Sequence, residues 1–401
     1  MLKFRWETKF KKTEIGEIPK DWEVKRLGEI LAKIIKGKNP KKCLGDLPYL
    51  TAKYLRGEEE AEEFYNETAG VLVDENEIVI IWDGSNSGEV FKSKKGILAS
   101  TMCKLLFDEE VANKIYAFYV LKTNEEDIKG AKSGTDDRHV DKEYFLNLLI
   151  PLPPLPEQSR IATVLSWFDD LIEVKKRQNE ILEKTAMAIF KSWFIDFEPF
   201  RDGEFVYSEE LEKEIPREWE VKKIGEIAEI IMGQSPPSKF YNEDGIGIPF
   251  IQGKGQLGKY TPQTTIFCSC DGKLAKVYDI LLTVRAPVGE LNLADKEYII
   301  GRGIASIRSN YWPFLFLYFN FNRELLKSLE KGTTYDAIVK EDIENLLIVI
   351  PPSHILQSFH SLVEPLFQKI ILNQKQIMTL RKIRDTLLPL LVFGKLRVEE
   401  V

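Results

Sequence analysis

The chain has 401 residues, 44% hydrophobic and 30% charged, a globular composition with room for two or three domains. Its 56 Lys and Arg against 63 Asp and Glu give a formal charge of −7, which excludes a polycationic nucleic-acid binder but leaves local basic patches open. Four cysteines exclude a disulfide scaffold, and no run nears the roughly 18 apolar residues of a membrane helix, so the expectation is a reduced, cytoplasmic protein without a signal peptide or membrane contact.

The first recognisable element is Glu17–Ile30 (EIPKDWEVKRLGEI), which reads as extended. Within and beyond it, Lys25–Lys42 holds seven basic residues against one acidic, Glu29. Either this is a phosphate-contacting edge, with Lys36 and Lys38 as candidates, or it is a solvated face. If it contacts phosphate, the acidic run Glu58–Glu63 must point away. Ile78–Trp82 (IVIIW) reads as a buried strand. The region closes on a strand over Leu146–Pro151, ended by the prolines Pro153 and Pro154.

A heptad seam follows: Ile161, Leu165, Phe168, Ile172, Lys175, Asn179, Leu182, Ala186, Ile189 and Trp193, spaced alternately by four and three. The whole series then recurs. Glu214–Ile227 (EIPREWEVKKIGEI) repeats the opening segment at an offset of 197, with ten of 14 positions identical. Tyr278–Val284 matches the buried strand, and Leu346–Ile350 with Pro351 and Pro352 matches the close. A second seam runs through Phe359, Val363, Leu366, Ile370, Asn373, Ile377, Leu380, Arg384, Leu387 and Leu391. A period near 200 residues means two copies of one α+β module, each with an antiparallel or mixed sheet and each followed by a long helix. The boundaries fall at 1–154, 155–197, 198–352 and 353–401. The helices either lie on their own modules or face each other. Two equivalent units related by a pseudo-twofold axis would make a facing pair antiparallel, with Asn179 opposite Asn373 fixing the register.

Motifs for chemistry are weak. Ser235–Ser238 (SPPS) is similar to an amino-methyltransferase motif, but Ser238 stands where an aromatic residue should stack on a flipped base. Gly253–Gly258 (GKGQLG) fits a dinucleotide loop, yet Pro262 follows where a helix must open. Glu23-Val24-Lys25 and Glu220-Val221-Lys222 lack the upstream partner of a metal-dependent nuclease. Cys268 and Cys270 have no matching ligands, so no metal or other cofactor is expected.

The layout resembles the specificity subunit of type I restriction–modification systems. The resemblance rests on the paired opening segments, on GQSPP (Gly233–Pro237) before Ile248–Ile251, on Leu281–Ile307 (LLTVRAPVGELNLADKEYIIGRGIASI), and on the helix junction Ile150–Ile161 (IPLPPLPEQSRI). The second junction departs from the pattern: IPPSHILQSF replaces Glu157 and keeps only Gln357. The family implies a non-catalytic subunit. Each module would read one half of a bipartite, asymmetric target in double-stranded DNA. The helices would set the spacing and dock two methyltransferase subunits, with restriction and translocase subunits joining the full complex. Candidate DNA contacts are Lys36, Lys38, Lys53, Arg56, Ser85, Asn86, Thr135, Arg138 and His139 in the first module. In the second they are Gln252, Lys254, Gln256, Arg285, Arg302, Thr333, Thr334 and Tyr335. Arg285 and Arg302 could instead be structural, as ion-pair partners. The competing class is a structural adaptor whose two modules bind protein and never DNA.

Overall fold

The computed structural model describes residues 2–41, 43–131, 139–329 and 337–400. The chain forms two compact units, Met1–Leu171 together with Leu380–Val401, and Ile172–Thr379. Among the described residues no helix is long and apolar enough to cross a membrane.

The first unit is built on two sheets. One has the order Val90–Lys92, Ile78–Ile81, Met102–Phe107, Leu31–Lys36, and is antiparallel throughout. The other has the order Phe64–Tyr65, Leu44–Leu50, Gly96–Leu98, Leu72–Val73, with a parallel pairing between its two middle strands. Ile78–Ile81 is buried along its whole length because both faces are covered. Ile78 and Ile80 enter the main core, and Val79 and Ile81 enter a smaller one. Helix Lys114–Thr123 covers the main core. It starts at Asn113, whose Oδ1 accepts from the N–H groups of Ile115 and Tyr116.

The opening segment is a strand pair rather than one extended run. Gly16–Pro19 closes a hairpin with Phe10–Thr13, while Glu23–Arg26 pairs with Leu149–Leu152. The closing strand is therefore shorter than the sequence pattern predicts. Leu146 and Asn147 end a helix, Lys142–Asn147, capped by Asp141. Pro151 sits inside the strand, opposite Val24, which a two-stranded ribbon with free outer edges tolerates. In the second unit the matching strand is Leu347–Ile350, paired with Glu220–Lys223. The Glu-Val-Lys motifs lie on these ribbons as ion-paired neighbours, Glu23 with Lys25 and Glu220 with Lys222.

The second unit repeats both sheets. Leu291–Leu293, Ile280–Thr283, Ile304–Arg308 and Glu229–Met232 reproduce the antiparallel order. Leu274–Ala275, Tyr298–Ile300, Ile248–Ile251 and Phe267–Cys268 reproduce the other, parallel pairing included, and Tyr241–Asn242 adds a strand.

The long helices, Leu155–Phe194 and Ser353–Val392, have 40 residues each. Their pairing is antiparallel in each unit. In the second unit Asn373 Nδ2 donates to Asn179 Oδ1 at 2.8 Å, and Lys175 Nζ donates to Gln376 at 2.5 Å. Around this polar layer Leu182, Ile189, Val363, Leu366, Ile370 and Ile377 are buried or half-buried. In the first unit Leu165, Phe168, Leu380 and Leu387 take the same role, and Ile172 is buried at the start of the second unit. The apparent break at Arg384 has a cause: its guanidinium reaches Asp169 at 2.6 Å, and Asp169 also accepts from Lys92 at 2.7 Å and Tyr119 at 2.6 Å.

The two units close differently around equivalent tryptophans. In the first, Leu2–Trp6 pairs antiparallel with Leu396–Glu400. Arg397 in that ribbon is buried. It reaches Glu157 at 2.5 and 2.6 Å, Glu7 at 2.6 Å and Asp21 at 2.9 Å, and its guanidinium lies over the Trp22 ring. Trp22 Nε1 also donates to Glu157. In the second unit Trp219 is set instead among Phe194, Phe197 and Phe200, at 5.2–5.8 Å between ring centres. This explains the unequal helix junctions: among the described residues only the first unit has a buried arginine, Arg397, for Glu157 to hold. Gln158 is also buried, donating to the carbonyls of Val111 and Pro153; at its place in the second helix stands the buried Leu356, and the neighbouring Gln357 is exposed.

Candidate nucleic-acid interface

In each unit the middle strands of the antiparallel sheet end together on one rim. In the first unit the rim carries Lys36 at the end of its strand, Asp83 just after Ile78–Ile81, Ser100 just before Met102–Phe107, and His139. Two glycines let the backbone turn off so closely. A Cβ on Gly37 would lie 2.0 Å from the Ala99 carbonyl oxygen, and one on Gly233 would lie 2.2 Å from that of Gly301. Asp83 forms a β-bridge with His139, and Val140 N–H donates to the Trp82 carbonyl at 2.9 Å. One Asp83 oxygen holds His139 Nδ1 at 2.6 Å and the other holds Lys36 Nζ at 2.7 Å. That hydrogen bond raises the Lys36 pKa and keeps the ammonium charged. Ser85 and Asn86 are exposed in the turn that follows Asp83.

The remaining first-unit candidates are less free. Arg56 is tied to Glu89, with Glu58 3.7 Å away, and Lys53 pairs with Glu59 at 3.3 Å. Two members of the acidic run, Glu58 and Glu59, are thus paired with basic residues of the adjacent short helix. Gly57, in the left-handed conformation at a helix end, folds Glu58 and Glu59 back onto them. The long basic run is divided between elements: Lys25 lies on the ribbon strand, Lys33 and Lys36 on a sheet strand, and Lys38 is exposed beyond it.

The second unit builds the same rim from different side chains. Arg285 bridges to Ala337, and Ile338 N–H donates to the Val284 carbonyl at 2.9 Å. Arg302 lies just before Ile304–Arg308, its N–H donating to Ser235. Both arginines are exposed, and neither guanidinium has a carboxylate partner among the described residues, so the ion-pair role that the sequence left open is not seen. Gln252 lies beside them, its carbonyl accepting from Gly303. Lys254 pairs with Glu290 at 2.9 Å, as Arg56 does with Glu89. Gln256 uses its side-chain oxygen to accept from the N–H groups of Gln252 and Gly253, which shapes a tight turn. The glycine motif there opens no α-helix; Leu257 bridges back to Pro262. Thr135, Arg138, Thr333, Thr334 and Tyr335 lie outside the described residues. Among the described residues no His, Cys, Asp and Glu group could hold a metal ion.

Residues 19–184 and 216–382 match the family described as the type I restriction modification DNA specificity domain, once per half. The chain belongs to that family. Among specificity-domain relatives, the type I restriction enzyme MjaIX specificity subunit of Methanocaldococcus jannaschii is 38% identical, over 100% of this chain and 99% of its own length. The MjaVIII specificity subunit of the same organism is 34% identical over the same shares. The crystal structure of the type I restriction–modification S subunit from M. genitalium shares the fold, with a TM-score of 0.64 and 20% identity, covering 92% of this chain and 96% of that one.

Asp83 is absent from the sequence-derived candidates. The ends of the two buried runs, Trp82 and Val284, carry a signal that could have aligned it with Arg285, the residue that follows in each case.

Proposed function

We propose that this chain is the DNA-reading subunit of a cytoplasmic type I restriction–modification complex. Each rim reads one half of a bipartite, asymmetric target in double-stranded DNA, with residues 1–154 and 198–352 as the two readers. The observation that carries this reading is one rim scaffold built twice with different polar side chains. A shared backbone explains a common substrate, and unlike side chains explain unlike half-sites.

The helices set the spacing and dock two methyltransferase subunits, which restriction and translocase subunits join. Docking is supported by apolar side chains left on the outer helix faces. Val174, Ile181, Leu362, Leu372 and Met378 of the second unit are each about half exposed, as are Trp167, Leu171 and Ile383 of the first. The chain supplies address rather than chemistry, and it needs no cofactor of its own.

The test is methylome sequencing of a host expressing the chain with its methyltransferase partner. A single two-part motif with unlike halves and a fixed gap is expected. Methylation without sequence preference would refute the reading and favour the protein-binding adaptor.

A further inference from the structure

The two rims can be aligned position by position from their hydrogen bonds alone. Lys36 lies opposite Cys103 as Met232 lies opposite Ala305, and Gly37 and Gly233 donate to Met102 and Ile304. Trp82 and Val284 donate to Thr101 and Gly303, and accept from Val140 and Ile338. Four backbone positions are thereby shared. They hold Lys36, Asp83, Ser100 and His139 in one unit, and Met232, Arg285, Arg302 and Ala337 in the other.

The chemistry at these positions is inverted. The second unit offers two exposed guanidinium groups, which are donors only. The first offers no guanidinium at these four positions. Its Asp83 carboxylate is spent on Lys36 and His139, one oxygen each. An ionised carboxylate only accepts, so His139 Nδ1 must carry the hydrogen, and the tautomer that this bond selects presents Nε2 as an acceptor. His139 is more than half exposed, at 55% of its side chain, and Nε2 has no partner among the described residues.

We propose that the position of Asp83 and Arg285 sets base choice in each recognition domain, with Asp83 acting as the positioning residue for His139. On this assignment the second rim selects guanine, whose O6 and N7 accept from arginine. The first selects a base with an exocyclic amine, adenine or cytosine, which donates to His139 Nε2. The inference rests on the reading that the rims face DNA.

The experiment uses the full chain in complex with its methyltransferase partner, bound to duplexes with both half-sites randomised and then sequenced. His139→Ala and Asp83→Ala are each expected to flatten one position of one half-site, lowering its base preference about tenfold. The other half-site stays sharp and serves as the internal control for folding. Asp83→Asn keeps an oxygen to accept from Nδ1 and restores the preference. Arg285→Ala with Arg302→Ala flattens a guanine position in the opposite half-site only. Unchanged preferences in these variants would overturn the assignment. So would uniform loss across one half-site in His139→Ala as well as Asp83→Ala, because both residues would then be merely structural. A wild-type complex with no preference in either half refutes the reading beneath the inference rather than the inference alone.

Discussion

Replacing Arg397 by Met removes the cation that closes the first unit while keeping most of its volume. Four carboxylate contacts of 2.5–2.9 Å disappear, and Glu157 and Glu7, whose side chains are 4% and 5% exposed, lose their counter-charge. Breaking a buried ion pair from one side costs about 3–5 kcal/mol, because the stranded charge remains desolvated. For a unit of this size each kcal/mol lowers the melting temperature by about 2–4 °C, so the transition of the first unit should fall by roughly 6–20 °C. Calorimetry of the purified chain measures this. Adding Glu157→Gln, which removes a charge but keeps an acceptor for Trp22, should recover part of the loss, and the double-mutant cycle gives the coupling. A fall under about 1 kcal/mol, or no recovery in the double variant, would show that the network contributes little net stability.

Acid should act on the same network. Burial opposes ionisation of Glu7, but the N–H groups of Lys9 and Thr8 and the Arg397 guanidinium outweigh it and hold the Glu7 pKa at about 2. The Arg397 hydrogen bond lowers that of Asp21. Depressed carboxylates contribute stability above their ordinary pKa, so the first unit should weaken as pH falls from about 4.5 towards 2, as read by a titration of melting temperature. Asn373→Leu alone strands the Asn179 amide and should cost about 1–3 kcal/mol in urea unfolding, whereas the double change to Leu should be near neutral and lose register control, read by disulfide cross-linking across the seam. Trp219→Ala should cost the second unit about 3–5 kcal/mol, with the same loss at low and high salt, since its neighbours are neutral rings. A heptad inserted in each long helix adds about 10 Å. At roughly 3.4 Å per base pair the target gap should widen by about three base pairs in methylome sequencing.

The duplication and the helices were legible because their signals are local or periodic. Ten identities in 14 positions cannot hide, and a heptad seam needs only a count. Asn179 and Asn373 stand out as polar residues in an apolar row. The rim was only half legible. Arg285, Arg302, His139 and Lys36 are residue types that suit DNA, but the fact that they share four backbone positions is encoded in hydrogen bonds between strands. Asp83 looks like any acidic turn residue until its two oxygens are seen to be taken. The Arg397 network was invisible for a similar reason. Its members, Glu7, Asp21, Glu157 and Arg397, are spread over most of the chain, and no local pattern joins them. Gln256 shows the opposite failure, since an amide suited to adenine turns out to shape its own loop.

The core of the first unit has a further property. Ile18, Trp22 and Leu27 come from its first residues, and Leu391, Val392, Leu396 and Val398 from its last. A ribosome makes the former first and reaches the latter only after the whole of the second unit. The second unit, Ile172–Thr379, is continuous in sequence and emerges whole while the first still lacks a wall of its core. The order of completion therefore runs against the order of synthesis. Removing Leu391, Val392, Leu396 and Val398 would open the core that Ile18, Trp22 and Leu27 fill from the other side.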